Sequence, residues 1–301
     1  LINRGYQKDG MIGAKDIDLV QTEKSQIIQK SGLLEMVKLR EQMDDIGGLE
    51  KLKPWLVQKS QIFADWPAAR DFGVESPKGV MIVGMPGCGK SLTAKATASL
   101  FGLPLLKMDM GSLMGKYVGE SEGNMRRAIA VAEAVSPCVL WVDEVEKAFS
   151  GIGSGGAGSE VATRLFGYFL TWMQEKTAQV FVVATANDVS ALPPELLRKG
   201  RFDEIFYVDF PSEEERSAIF KVHLEKRKKM NAHIDLKKLA KATDKYSGAD
   251  IESIVKEGIE LAFLDGRADL STERLVQVIK ATHPLGMVMK DKVKQYKDRF
   301  A

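Results

Sequence analysis

One octapeptide constrains this chain more than any other segment: Gly84-Met85-Pro86-Gly87-Cys88-Gly89-Lys90-Ser91. It follows an apolar, β-branched run at 79–83 and opens a helix-period segment, Leu92-Thr93-Ala94-Lys95-Ala96. Its glycines let backbone N–H groups curl inward, and the helix N-terminus behind them adds positive potential, so the loop is suited to cradling phosphate. Lys90 would reach the β- and γ-phosphates, and Ser91 would ligate magnesium. A loop of this kind needs a strand before it and a helix after it, which commits the flanking chain to an α/β sheet.

Five strand candidates fit that sheet, at 79–83, 103–108, 138–142, 180–184 and 204–208. Several are apolar throughout, as expected of strands covered by helices on both faces. Helix-period segments lie between them, at 120–135 with Met125, Ile129, Ala132 and Val135, and at 160–175 with Val161, Leu165, Phe169 and Met173. After Pro211 the strand pattern stops. Ser212-Glu213-Glu214-Glu215 reads as a capping box, and further helices are expected at 235–243, 248–264, 272–281 and 289–299. The expectation is a five-stranded parallel α/β domain over 44–211 and a small helical domain over 212–301. Residues 1–43 read as a broken helical lead-in, amphipathic from about 19 to 43. A chain that opens on Leu1 rather than Met is expected to be part of a longer one.

Three more segments carry chemistry. Cys138-Val139-Leu140-Trp141-Val142-Asp143-Glu144 is an apolar strand ending in two carboxylates. Asp143 would help hold magnesium and Glu144 would polarise an attacking water, although many strands end in acids for structural reasons. Val180 to Asn187 is a buried strand ending in an amide that either positions the same water or simply starts a turn. Arg198 and Arg201 lie three apart beside a strand, as either phosphate-contacting groups or a solvated basic loop. Cys88 sits near amides that could lower its pKa and make it an oxidation switch; the simpler reading is a small residue in a tolerant slot.

Composition excludes little but narrows the partners. Charge is close to balanced, 43 Lys+Arg against 41 Asp+Glu, which gives no general case for binding nucleic acid or anionic membrane. Two cysteines without metal-ligand spacing argue against a disulfide framework and fit a reducing, cytoplasmic home. The sequence contains neither an apolar run long enough to span a bilayer nor an HExxH zinc motif.

From Asp45 to about Ala262 the chain resembles the AAA clade of AAA+ ATPases, with 84–91 and 138–144 as its Walker A and Walker B motifs. Ser136-Pro137-Cys138, the Gly-rich stretch 151–158, 181–187 and 198–206 are similar to the AAA ATPases encoded in algal chloroplasts and their cyanobacterial and bacterial relatives. The resemblance implies ATP and Mg2+ as cofactors, hydrolysis, and a homo-oligomeric, hexameric ring. It implies that Asp45-Ile46-Gly47 lines an adenine pocket flanked by Ile219 and His223. Pro86 to Leu92 would hold the phosphates, and Gly248 and Ala249 would contact nucleotide from the helical domain. Arg198 and Arg201 would act as paired fingers on the neighbouring subunit's ATP. Lys116 and Tyr117 resemble a first pore loop that grips a threaded polypeptide, the alternative being a tyrosine packed at a helix entry. The stretch 151–158 would be the second pore loop, more Gly-rich than the pattern and without a gripping residue. Protein remodelling is the activity this implies. A nucleotide-switched scaffold and a nucleic-acid motor are the alternatives.

Overall fold

The computed structural model describes residues 24–289 apart from 25, 114–119, 150–156, 189–191, 193, 199 and 267. Six strands form one sheet: β1 Glu35–Val37, β2 Gly79–Gly84, β3 Leu105–Asp109, β4 Cys138–Asp143, β5 Val180–Ala186 and β6 Glu204–Val208. Their order is β1-β3-β4-β5-β2-β6, with β1 antiparallel to β3 and the remaining pairs parallel. β2 therefore lies between β5 and β6, and its C-terminal end opens where the chain order reverses, the usual place for a ligand in such a sheet.

Successive residues of a strand point to opposite faces. Val80 and Ile82 pack with Leu105, Val139, Phe181 and Val183 beneath helix α1 (Leu52–Ala64) and helix α2 (Lys90–Phe101). Met81 and Val83 pack with Leu106, Leu140 and Val182 against α3 (Glu120–Val135) and α4 (Ala157–Glu175). Both faces are buried, which is why these strands read as continuous apolar runs. Phe181 anchors the first layer, with the rings of Trp55, Phe63 and Phe101 centred 4.8–6.4 Å from its own.

The sixth strand corrects the sequence expectation of five parallel strands. Residues 26–31 are helical, but 35–37 pair in antiparallel register with β3, Glu35 opposite Lys107 and Val37 opposite Leu105. Leu34 and Met36 reach one core layer, Val37 and Leu39 the other. Apolar residues at 33, 34, 36, 37 and 39 satisfy a helical and an alternating period alike, so periodicity could not separate the two.

Beyond β6 the described chain is helical: α5 Glu213–Lys226, α6 Leu236–Ala242, α7 Gly248–Leu264 and α8 Thr272–Ala281. Phe220, Leu239, Ile251, Ile254, Val255, Leu275 and Ile279 close a separate core. The capping box forms as expected, Glu215 donating its N–H to Ser212 Oγ (3.2 Å) and Ser212 donating its N–H to Glu215 Oε2 (2.9 Å). A second box, Ser247 with Asp250, fixes the start of α7. The helix expected at 289–299 falls almost wholly outside the described residues.

Candidate functional site

The loop after β2 turns through left-handed backbone at Gly87 (φ 76°) and Gly89 (φ 89°) before α2 begins at Lys90. A Cβ on Gly87 would sit 2.8 Å from Ser247 Oγ, so only glycine suits both the turn and the approach of α7. Lys90 is buried and donates to the carbonyls of Gly84 (2.8 Å) and Met85 (2.7 Å). Burial pushes its ammonium down to about 8, opposed by the acidic groups of Cys88, Glu146, Asp143 and Glu144.

The two acids end β4, two strands from β2, with Thr185 of β5 between them and the loop. Asp143 Oδ1 accepts from Thr185 Oγ1 (2.9 Å), and Asp143 Oδ2 accepts from Lys107 Nζ of β3 (2.9 Å). Lys107 is held over the Trp141 ring, 4.6 Å from its centroid. Glu144 adopts φ 47°, a conformation uncommon for a residue with a Cβ. Its Oε1 accepts from Asn187 Nδ2 (3.2 Å) and its Oε2 pairs with Lys147. The Asn187 N–H donates to Glu146 Oε1 (2.9 Å), and burial raises the Glu146 carboxyl above its usual range.

The helical domain forms the opposite wall. Ala249 N–H at the start of α7 donates to the Gly87 carbonyl (3.0 Å). Ile219 lies so close to Gly47 that a Cβ there would meet Ile219 Cγ1 at 2.7 Å. Burial lowers the His223 pKa, its Nδ1 receives Arg227 Nη1 (3.2 Å), and Arg227 pairs with Glu252 (2.8 Å). The resulting cleft of about 900 Å³ is lined by Asp45, Ile46 and Gly47, by Pro86 to Leu92, by Asp143, Glu144 and Asn187, and by Ile219, His223, Gly248 and Ala249. A buried amine, a helix-start hydroxyl on Ser91, two carboxylates and a far wall that mixes Ile219, Val222 and Ala249 with His223 and Arg227 match the chemistry of a magnesium nucleotide.

Arg198 and Arg201 are not part of that cleft. Asp203 accepts the N–H groups of Lys78 (2.9 Å) and Gly79 (3.1 Å), which ties the arginine segment to the start of β2. The phosphate-type loop leaves the other end of that strand, roughly 17 Å away at the rise of a strand. Lys116, Tyr117 and residues 151–156 lie outside the described residues. Burial pushes the Cys88 thiol up to about 12, only partly opposed by nearby Lys90, which favours the small-residue reading over the oxidation switch. Sequence reasoning missed Lys107, Lys147 and Thr185, and read Glu215 only as a capping carboxylate. Thr185 was legible as a strand-end hydroxyl, whereas nothing in the sequence marked the two lysines.

The ATPase family associated with various cellular activities (AAA) matches residues 80–210, and the AAA+ lid domain matches 233–277. The chain belongs to the AAA ATPase family. It is 47% identical over 283 residues to the uncharacterized AAA domain-containing protein ycf46 of Pyropia yezoensis, covering 94% of this chain and 57% of that protein. Its likeness to the Guillardia theta protein of the same name is 43% over 288 residues, 95% of this chain and 56% of that one. The human ATPase family gene 2 protein homolog A is 37% identical over 225 residues, 72% of this chain and 25% of the relative. The chain thus spans a little over half the length of the plastid relatives it matches. The family implies that the cleft binds nucleotide.

Proposed function

We propose that the chain is a magnesium-dependent ATPase that works as a homo-oligomeric, hexameric ring and remodels a polypeptide. The observation that carries the catalytic part is the convergence of Lys90, Asp143, Glu144 and Asn187 at the C-terminal ends of neighbouring strands, facing a cleft closed by α5 and α7. Magnesium, when bound, would neutralise charge between the phosphates. Ser91 and Asp143 would hold it, Lys90 would bind the β- and γ-phosphates, and Glu144 with Asn187 would orient and deprotonate water. Asp45, Ile46, Gly47, Ile219 and His223 would receive the base.

The distance of Arg198 and Arg201 from their own cleft favours a role at a neighbour's, since a cation roughly one strand length away does nothing for charge developing at the loop. Lys116 and Tyr117 would grip the polypeptide. We divide the chain at 44 and 212, lead-in, nucleotide domain and lid. Two cysteines free of any disulfide favour a reducing, cytoplasm-like compartment. Among the described residues no helix is long and apolar enough to cross a membrane.

The purified chain should hydrolyse ATP with Mg2+, stop with EDTA, and lose turnover on Lys90→Ala. ATP hydrolysis that persists in Lys90→Ala would refute the assignment. Stimulation by an unfolded polypeptide, abolished by Tyr117→Ala, would separate remodelling from the nucleotide-switched scaffold, which should assemble without it.

A further inference from the structure

The proposed water-activating carboxylate is already engaged. Glu144 closes β4, and the chain then turns directly into a 3-10 segment, Val145–Phe149, with Lys147 N–H donating to the Glu144 carbonyl (2.8 Å). The pair spans i and i+3 across the turn that follows β4. The two form an ion pair at Glu144 Oε2, while Asn187 occupies Oε1. One oxygen of the carboxylate holds the ammonium and the other the amide, so both are turned to protein partners.

The neighbouring acid is also paired, but differently. Lys107 on Asp143 is packed over Trp141 and its side chain is 30% exposed, whereas Lys147 is 56% exposed and rests on no ring. The first is a fixed counter-ion belonging to the sheet. The second is exposed and can leave by rotating its own side chain.

We propose that Lys147 is a positioning residue that holds Glu144 out of reaction, so that turnover requires Lys147 to release it. The proposal rests on the reading of Glu144 given above. Lys147 thereby sets the resting rate of the enzyme without binding nucleotide.

The test compares Lys147→Met, of similar length and uncharged, with Lys147→Arg and with each change in the Glu144→Gln background. Lys147→Met should raise kcat about two- to fivefold, with KM for ATP and the Kd of a fluorescent ATP analogue within twofold of wild type. Lys147→Arg should restore the wild-type rate. In Glu144→Gln the Lys147→Met change should have no effect, because the group it restrains is gone. A kcat that is unchanged or lower in Lys147→Met, with the analogue bound normally, overturns the proposal. Normal hydrolysis by Glu144→Gln alone would instead overturn the role of Glu144 itself.

Discussion

Leu49 donates its N–H to Glu215 Oε1 across 3.1 Å, joining the segment that enters the nucleotide domain to the first turn of the lid. The other carboxylate oxygen of Glu215 caps α5 through Ser212 N–H (2.9 Å). One side chain therefore sets both the start of a helix and its position over the cleft. Glu215→Ala should cost about 1–2 kcal/mol, the loss of a cap and a cross-link. Thermal denaturation should show a fall of about 2–8 °C. Glu215→Gln keeps one of the two acceptors and sets an NH2 donor against the other N–H, so it should recover only part of the loss.

Gly87 meets the lid directly. Gly87→Ala forces a side chain onto a backbone at φ 76° and against Ser247. Strain of about 1–3 kcal/mol at this point should weaken binding of a fluorescent ATP analogue by about five- to 150-fold. Affinity within twofold of wild type would mean that the loop and α7 separate when nucleotide enters.

Cys88 and Cys138 should react slowly with a thiol reagent at pH 8. Burial pushes both thiols up to about 12, so the reactive thiolate at that pH is on the order of one part in ten thousand. Denaturant should release both to the rate of ordinary cysteine. Rapid labelling of Cys88 in the native chain would return it to consideration as a redox sensor.

Arg201→Ala should lose turnover about 10³-fold or more if the arginine serves a neighbour. Mixed one to one with Lys90→Ala, it should regain about a quarter of wild-type activity, the fraction of interfaces that pair an intact Lys90 with an intact Arg201. Activity that stays at the level of the separate variants would confine Arg201 to its own chain.

The phosphate-type loop, the acids closing β4 and the lid helix starting at Gly248 were legible because each is a local pattern with a local cause. The strand at Glu35–Val37 was not, since its apolar residues serve both sheet layers and fit a helix equally well. Lys107 reaches Asp143 only because β3 lies beside β4, and Glu215 reaches Leu49 only because the lid folds back. Those relationships belong to the tertiary structure, where residues separated by tens or hundreds of positions become neighbours. Lys147 is the exception: its partner is three residues away, but an extended continuation of β4 would not have brought the two together.

The most direct measurement is ATP binding and ATP turnover on Glu144→Gln beside the wild-type chain, with Mg2+ present in both. The charge that activates water is lost while the phosphate and magnesium groups remain, so the variant should bind a fluorescent ATP analogue within about threefold of wild type and hydrolyse ATP about 10²–10⁴-fold more slowly. Turnover within twofold of wild type would contradict the catalytic centre described here.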